Sequence, residues 1–155
     1  MICIPKILIT NKGNRMIKVK FHDLNSIEDH KLTFAAICAE HKSMWIWCKN
    51  KNRAWEIPGG RREPNENILD TAKRELYEET GAKEFELTAL FEYSVTINDI
   101  TTFGRIFYAE IQELGDLPSF EIEKIELLNI VPTELSFPKI QPLVFEEAKK
   151  RRNSF

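Results

Sequence analysis

The stretch Trp55–Ala82, WEIPGGRREPNENILDTAKRELYEETGA, decides how the rest of the chain is read. It carries Glu66, Glu75, Glu78 and Glu79, with Arg74 among them, between the pair Gly59-Gly60 and a closing Gly81. As a helix, the segment puts Glu75, Glu78 and Glu79 on neighbouring turns of one face. Like charges so placed repel, and carboxylates near a helix C-terminus oppose its dipole. A segment that breaks two electrostatic rules together reads as a site awaiting a cation rather than as a scaffold. Leu69, Ala72 and Leu76 form the predicted apolar stripe, with the glutamates about a quarter-turn away at a cleft edge. Asn67 is the expected N-cap, with Asp70 three residues on, and Gly81 suits the left-handed position that ends a helix.

Donors that are all oxygen suit a hard dication, Mg²⁺ or Mn²⁺, rather than zinc. Magnesium also keeps waters and is commonly shared with substrate phosphates. Taken alone, an E-x-x-E-E run marks a solvated face. The joint spacing argues otherwise: five residues separate Gly60 from Glu66, and seven separate Glu66 from Arg74-Glu75-Leu76; Glu78-Glu79 and Gly81-Ala82 follow, each after one residue. This pattern resembles the Nudix box of the MutT-like hydrolases at every fixed position except Ala82, where the family usually has a bulkier aliphatic residue.

The resemblance implies an α/β (α+β) fold, an α/β/α sandwich with a mixed sheet. It also implies hydrolysis of a nucleoside diphosphate linked to a further group. Carried over by position, Glu75, Glu78 and Glu79 match the metal ligands, and Glu66 matches a glutamate that supports the site or binds metal. Arg74 matches the arginine that pairs with a box glutamate. The general base is expected to be Glu78 first, or Glu121 or Glu123 from a later loop. Gly59 and Gly60 permit backbone angles closed to other residues and let substrate approach the main chain. Of the arginines that follow, Arg61 is favoured over Arg62 as a phosphate contact.

Length and composition set the outer bounds. At 155 residues, 43% hydrophobic and 30% charged, the chain fits one globular domain over 1–155. A net charge of -2 gives no field for duplex nucleic acid. No run reaches membrane length and no leader pattern precedes the first strand, so a cytoplasmic protein is expected. Cys3, Cys38 and Cys48 lack zinc or framework spacing and read as reduced thiols. His22 and His30, with no partner histidine at ligand spacing, read as surface or hydrogen-bonded groups.

Outside the box, alternation predicts strands over 16–23 and 44–49, a nearly continuous apolar run predicts a buried strand over 32–40, and a short strand over 53–57 leads into the glycines. The same reading predicts strands over 85–97, 102–111 and 121–130 after it, and a helix within 137–152. Residues 1–12 read as a strand or arm. Trp45 and Trp47 share a face: they are core, or less readily a wall on which a base stacks. The aromatic residues near 91–108 are a candidate homodimer face.

Which substrate the box serves is read from what is missing. The downstream marks of Nudix enzymes for reduced dinucleotides, ADP-ribose and dinucleoside polyphosphates are absent. Val131–Pro142, VPTELSFPKIQP, looks similar to enzymes acting on oxidised purine nucleotides such as 8-oxo-dGTP. The expectation is therefore a nucleoside triphosphate cut to monophosphate and pyrophosphate. The alternatives are a 5′-triphosphate RNA end, a nucleotide sugar, or a catalytically silent nucleotide-binding module.

Overall fold

The structure is a computed structural model that describes residues 16–153. The first predicted arm, residues 1–12, and Cys3 lie outside that range.

Eight strands and two helices follow in order. They are β1 (Ile17–His22), β2 (Leu32–His41), β3 (Met44–Asn50), β4 (Trp55–Glu56), β5 (Gly59–Arg61), α1 (Ile68–Thr80), β6 (Ala82–Ile97), β7 (Ile100–Leu114), β8 (Ile122–Leu128) and α2 (Gln141–Arg152). The main sheet path is β1-β6-β7-β2-β3-β4, with β5 also paired to β2 and β8 to β3. The β2–β7 pair is parallel and the other strand pairs are antiparallel, so the sheet is mixed.

Alternation along β3 assigns the two sheet faces. Trp45 and Trp47 point to one core with Ile106, Val144, Phe145 and Ala148, under α2. Ile46 and Cys48 point to the other, with Ile37, Ile68, Ala72 and Leu76, under α1. A helix on each face of the sheet is the expected sandwich. The tryptophans are therefore core: Trp47 is fully buried, and both rings lie against Phe145, at 5.0 Å and 5.2 Å between centroids. They form no stacking wall. Phe91, Tyr93 and Phe107 are likewise buried, so these aromatic residues of the candidate dimer face belong to the interior.

Several boundaries differ from expectation for local reasons. The predicted strand over 53–57 shrinks to two residues, and Gly59-Gly60 pair in register with Ala36 and Ala35. Neither glycine has a positive φ, so they serve as strand rather than as a special turn. The β6–β7 turn tightens to Asn98-Asp99, both left-handed, so β7 begins at Ile100, and at their far ends the two strands run on to Ala82 and Leu114. Lys42-Ser43 do the same between β2 and β3. The last helix starts at Gln141, with Pro142 in its first turn, and Phe137 and Ile140 pack ahead of it. Cys38 and Cys48 are buried free thiols. Burial pushes the Cys38 thiol up to about 12. His22 Nε2 lies 2.9 Å from Ser94 Oγ, and His30 is exposed beside Glu28. Among the described residues, no helix is long and apolar enough to cross a membrane.

Candidate active site

Helix α1 is set in place at both ends. Asn67 Oδ1 accepts from the Asp70 N–H at 2.8 Å, and Gly81 closes the helix with φ 78°. A Cβ at Gly81 would sit 2.6 Å from the Asp116 carbonyl oxygen, so this position needs glycine for space as well as for φ. The buried side of α1 differs from the predicted stripe. Ile68, Thr71, Ala72, Glu75, Leu76, Glu79 and Thr80 are buried, whereas Leu69 is exposed. Two of the glutamates thus face inward with the apolar residues, not at the helix edge.

Glu79 is 3% exposed, and its Oε1 accepts from the Gly59 N–H at 2.8 Å. That bond joins α1 to β5 and explains what the glycine strand does at the site: it presents main-chain donor groups to the helix. Behind the carboxylate, the Cys48 thiol donates to the Glu79 carbonyl. Burial pushes the Glu79 carboxyl up to about 8, with the charge of Glu75 acting in the same direction and the Gly59 N–H against it. Burial first, then Glu75, also raises Glu78, while Arg74 opposes the rise.

Arg74 organises the rest. It donates from Nε to Glu66 Oε2 at 2.8 Å and from Nη2 to Glu66 Oε1 at 3.0 Å. Its Nη1 reaches Glu75 Oε1 at 2.8 Å and Glu78 Oε2 at 3.4 Å, and Nη2 also donates to the Arg61 carbonyl. Glu66 accepts further bonds from the Thr71 hydroxyl and the Glu63 N–H. Those donors, Arg74 foremost, hold its carboxyl down at about 2. With both oxygens engaged in this way, Glu66 braces Arg74, and it is not among the residues that line the cleft beside Glu75, Glu78 and Glu79.

Glu75, Glu78, Glu79 and Arg74 form one wall of a cleft of about 390 Å³. Among the described residues, Arg61, Arg62, Glu63, Pro64, Phe120 and Glu121 also line it. Arg61 is exposed, with its guanidinium 5.8 Å from the Phe34 ring centre. Arg62 is tied down instead, donating to the Glu66 and Asp29 carbonyls and to the Asp29 carboxylate. Glu121 lines the cleft; Glu123 is not among its lining residues. Glu63, Pro64 and Phe120 were not anticipated, although Phe120 stands next to a residue that was.

The donor chemistry fits a hard dication, since every acidic group on this wall offers oxygen alone. Among the described residues no three acidic, histidine or cysteine side chains converge closely enough to hold an ion as they stand. Glu75 and Glu78 lean on Arg74, whose guanidinium supplies the local positive charge.

A family model described as the NUDIX domain matches residues 29–141. YtkD of Bacillus subtilis (strain 168), provisionally named an 8-oxo-dGTP diphosphatase, is 33% identical over 93 residues, 59% of this chain and 59% of its own length. An RNA pyrophosphohydrolase of Bartonella henselae is 49% identical over 39 residues, 25% of this chain and 22% of its length. The chain thus spans less than two thirds of either relative. Among solved structures, a point mutant of the Bacillus subtilis pyrophosphohydrolase BsRppH superposes with a TM-score of 0.73 at 22% identity, covering 88% of this chain and 91% of that one.

Proposed function

The chain belongs to the Nudix family, and from that premise we propose that it is a pyrophosphohydrolase that cuts nucleoside triphosphates to monophosphate and pyrophosphate. Oxidised purine nucleotides such as 8-oxo-dGTP are the first candidates. The observation that carries this reading is the wall of three glutamates and one arginine on a single helix face, opening on a cleft that also holds an exposed arginine. The match to YtkD supports the nucleotide choice because it extends over 93 residues, far more than the box alone contains.

Glu75, Glu78 and Glu79 would hold the divalent cation. When bound, that ion neutralises phosphate charge and lowers the pKa of a coordinated water. The chain's own residues do the rest. Arg74, braced by Glu66, fixes the directions in which Glu75 and Glu78 point. Gly59 fixes Glu79. Arg61 offers a fork of donors to phosphate oxygens. Glu78 takes the proton of the attacking water, with Glu121 as the second choice for that task.

A second reading, removal of pyrophosphate from a 5′-triphosphate RNA end, has support in the Bartonella relative, although that match extends over only 39 residues. Phosphate release from nucleotides and from triphosphorylated RNA, assayed in Mg²⁺ or Mn²⁺ with and without added inorganic pyrophosphatase, tests both. A signal that requires pyrophosphatase and appears with free nucleotides supports the first reading. A signal with RNA alone supports the second, and none with any substrate rejects both.

A further inference from the structure

Phe120 is 55% exposed and lines the same cleft as Glu75, Glu78 and Glu79. Single exposed apolar residues are ordinary on protein surfaces and need no explanation by themselves. This one differs in how it is held. Its N–H donates to the Pro118 carbonyl at 3.1 Å, and the next residue's carbonyl accepts from the Lys51 N–H at 2.9 Å. The loop is tied to the end of α1 by the Gly115 N–H donating to the Gly81 carbonyl, and Ile122 is buried in the core beneath α1. The backbone is thus anchored on both sides of Phe120 while its ring stays in water. Among the described residues, every other side chain lining the cleft is charged, Pro64 excepted. The tryptophans that sequence offered for stacking are sealed under α2, which leaves Phe120 as the aromatic ring of the cleft among the described residues.

We propose that Phe120 is the platform on which the substrate's nucleobase stacks, so that affinity for the base comes from ring area and not from hydrogen bonds that read its edges. The proposal rests on the nucleotide reading above and adds to it a specificity-determining residue. Physically, Arg61 and the cation attract the polyphosphate whatever base it carries, and an aromatic face in the cleft adds attraction for the base that carries no charge. Every base has such a face, so Phe120 favours substrates with a base over those without, and discriminates weakly among bases.

The test compares the full-length protein with F120A and F120W, using ATP, GTP and CTP as substrates and tripolyphosphate, which has the anhydride but no base, as substrate or competitive inhibitor. Loss of base stacking raises KM for all three nucleotides roughly tenfold in F120A. It leaves kcat and the tripolyphosphate constant where they were, and F120W restores the nucleotide values. Equal shifts for nucleotides and tripolyphosphate, or no shift, overturn the proposal. Should the wild type hydrolyse none of these, the hydrolase reading is decided separately by oxidised purine nucleotides and triphosphorylated RNA in the phosphate-release assay above, and calorimetric titration with GMP still decides the stacking: weaker binding by F120A supports it, whereas equal binding or none by the wild type overturns it. Circular dichroism confirms that each variant is folded.

Discussion

Arg74 grips Glu66 through two parallel bonds, Nε to Oε2 at 2.8 Å and Nη2 to Oε1 at 3.0 Å, while its remaining nitrogen reaches Glu75. One guanidinium thus joins the loop before α1 to the acidic face of the helix. Lysine keeps the charge but not the planar fork. R74K is expected to lower activity roughly 10- to 100-fold, the range for losing a partner that orients a metal ligand. R74A is expected to cost about 2 kcal/mol of stability as well. Steady-state kinetics and urea unfolding of both variants check this.

The same pair makes metal-free stability depend on acid. Glu66 sits at about 2 in the fold against an ordinary 4.5, so its contribution is present above 4.5 and lost as pH falls from there towards about 2. Unfolding midpoints measured across that window in a chelator should drop for the wild type and flatten in E66Q.

Glu79 has the opposite sign. Its carboxyl is raised from 4.5 to about 8, so the fold favours the proton, and stability is lost as pH rises through that interval. In chelator above pH 8, E79Q should therefore unfold at higher urea than the wild type while losing metal binding. A destabilised E79Q at that pH contradicts the account.

Glu78 lines the cleft without sealing it, and its change to glutamine keeps shape while removing the base. E78Q is expected to fold normally and lose about 10²- to 10⁴-fold in kcat, with E121Q losing much less. The reverse ranking would transfer the proton-accepting task to Glu121.

Gly81 tests the helix end. Its φ of 78° and the 2.6 Å approach to the Asp116 carbonyl both exclude a side chain. G81A should destabilise the fold by about 1 kcal/mol or more, read by thermal or urea unfolding. Kinetics at a temperature where the variant stays folded should change far less than for R74K.

How far the sequence carried varies with how local each feature is. The box was legible because a helix turns fixed spacing into fixed directions, so Arg74 and its glutamates meet where their numbers say. The strands Ile17–His22 and Met44–Asn50 followed from alternation, and Leu32–His41 from a nearly continuous apolar run. The buried side of α1 was misjudged because only apolar residues were counted: Leu69 is exposed, while Glu75 and Glu79 turn inward. Glu79 can do so because Gly59 donates to it from a strand twenty residues earlier in the chain, a partner no helical wheel contains. That Trp45 and Trp47 are core while Phe120 lines the cleft was hidden for a similar reason. Which aromatic ring is covered depends on where α2 packs, and that is decided by the whole sheet.

The central claim is that Glu75, Glu78 and Glu79 together capture a hard dication. Calorimetric titration of the wild type with Mn²⁺ in the presence of a non-hydrolysable nucleoside triphosphate, set beside E75Q, E78Q and E79Q, tests it most directly. The account predicts saturable binding by the wild type, weakened in every variant. Absence of Mn²⁺ binding to the wild type, or unchanged binding in all three variants, would contradict it.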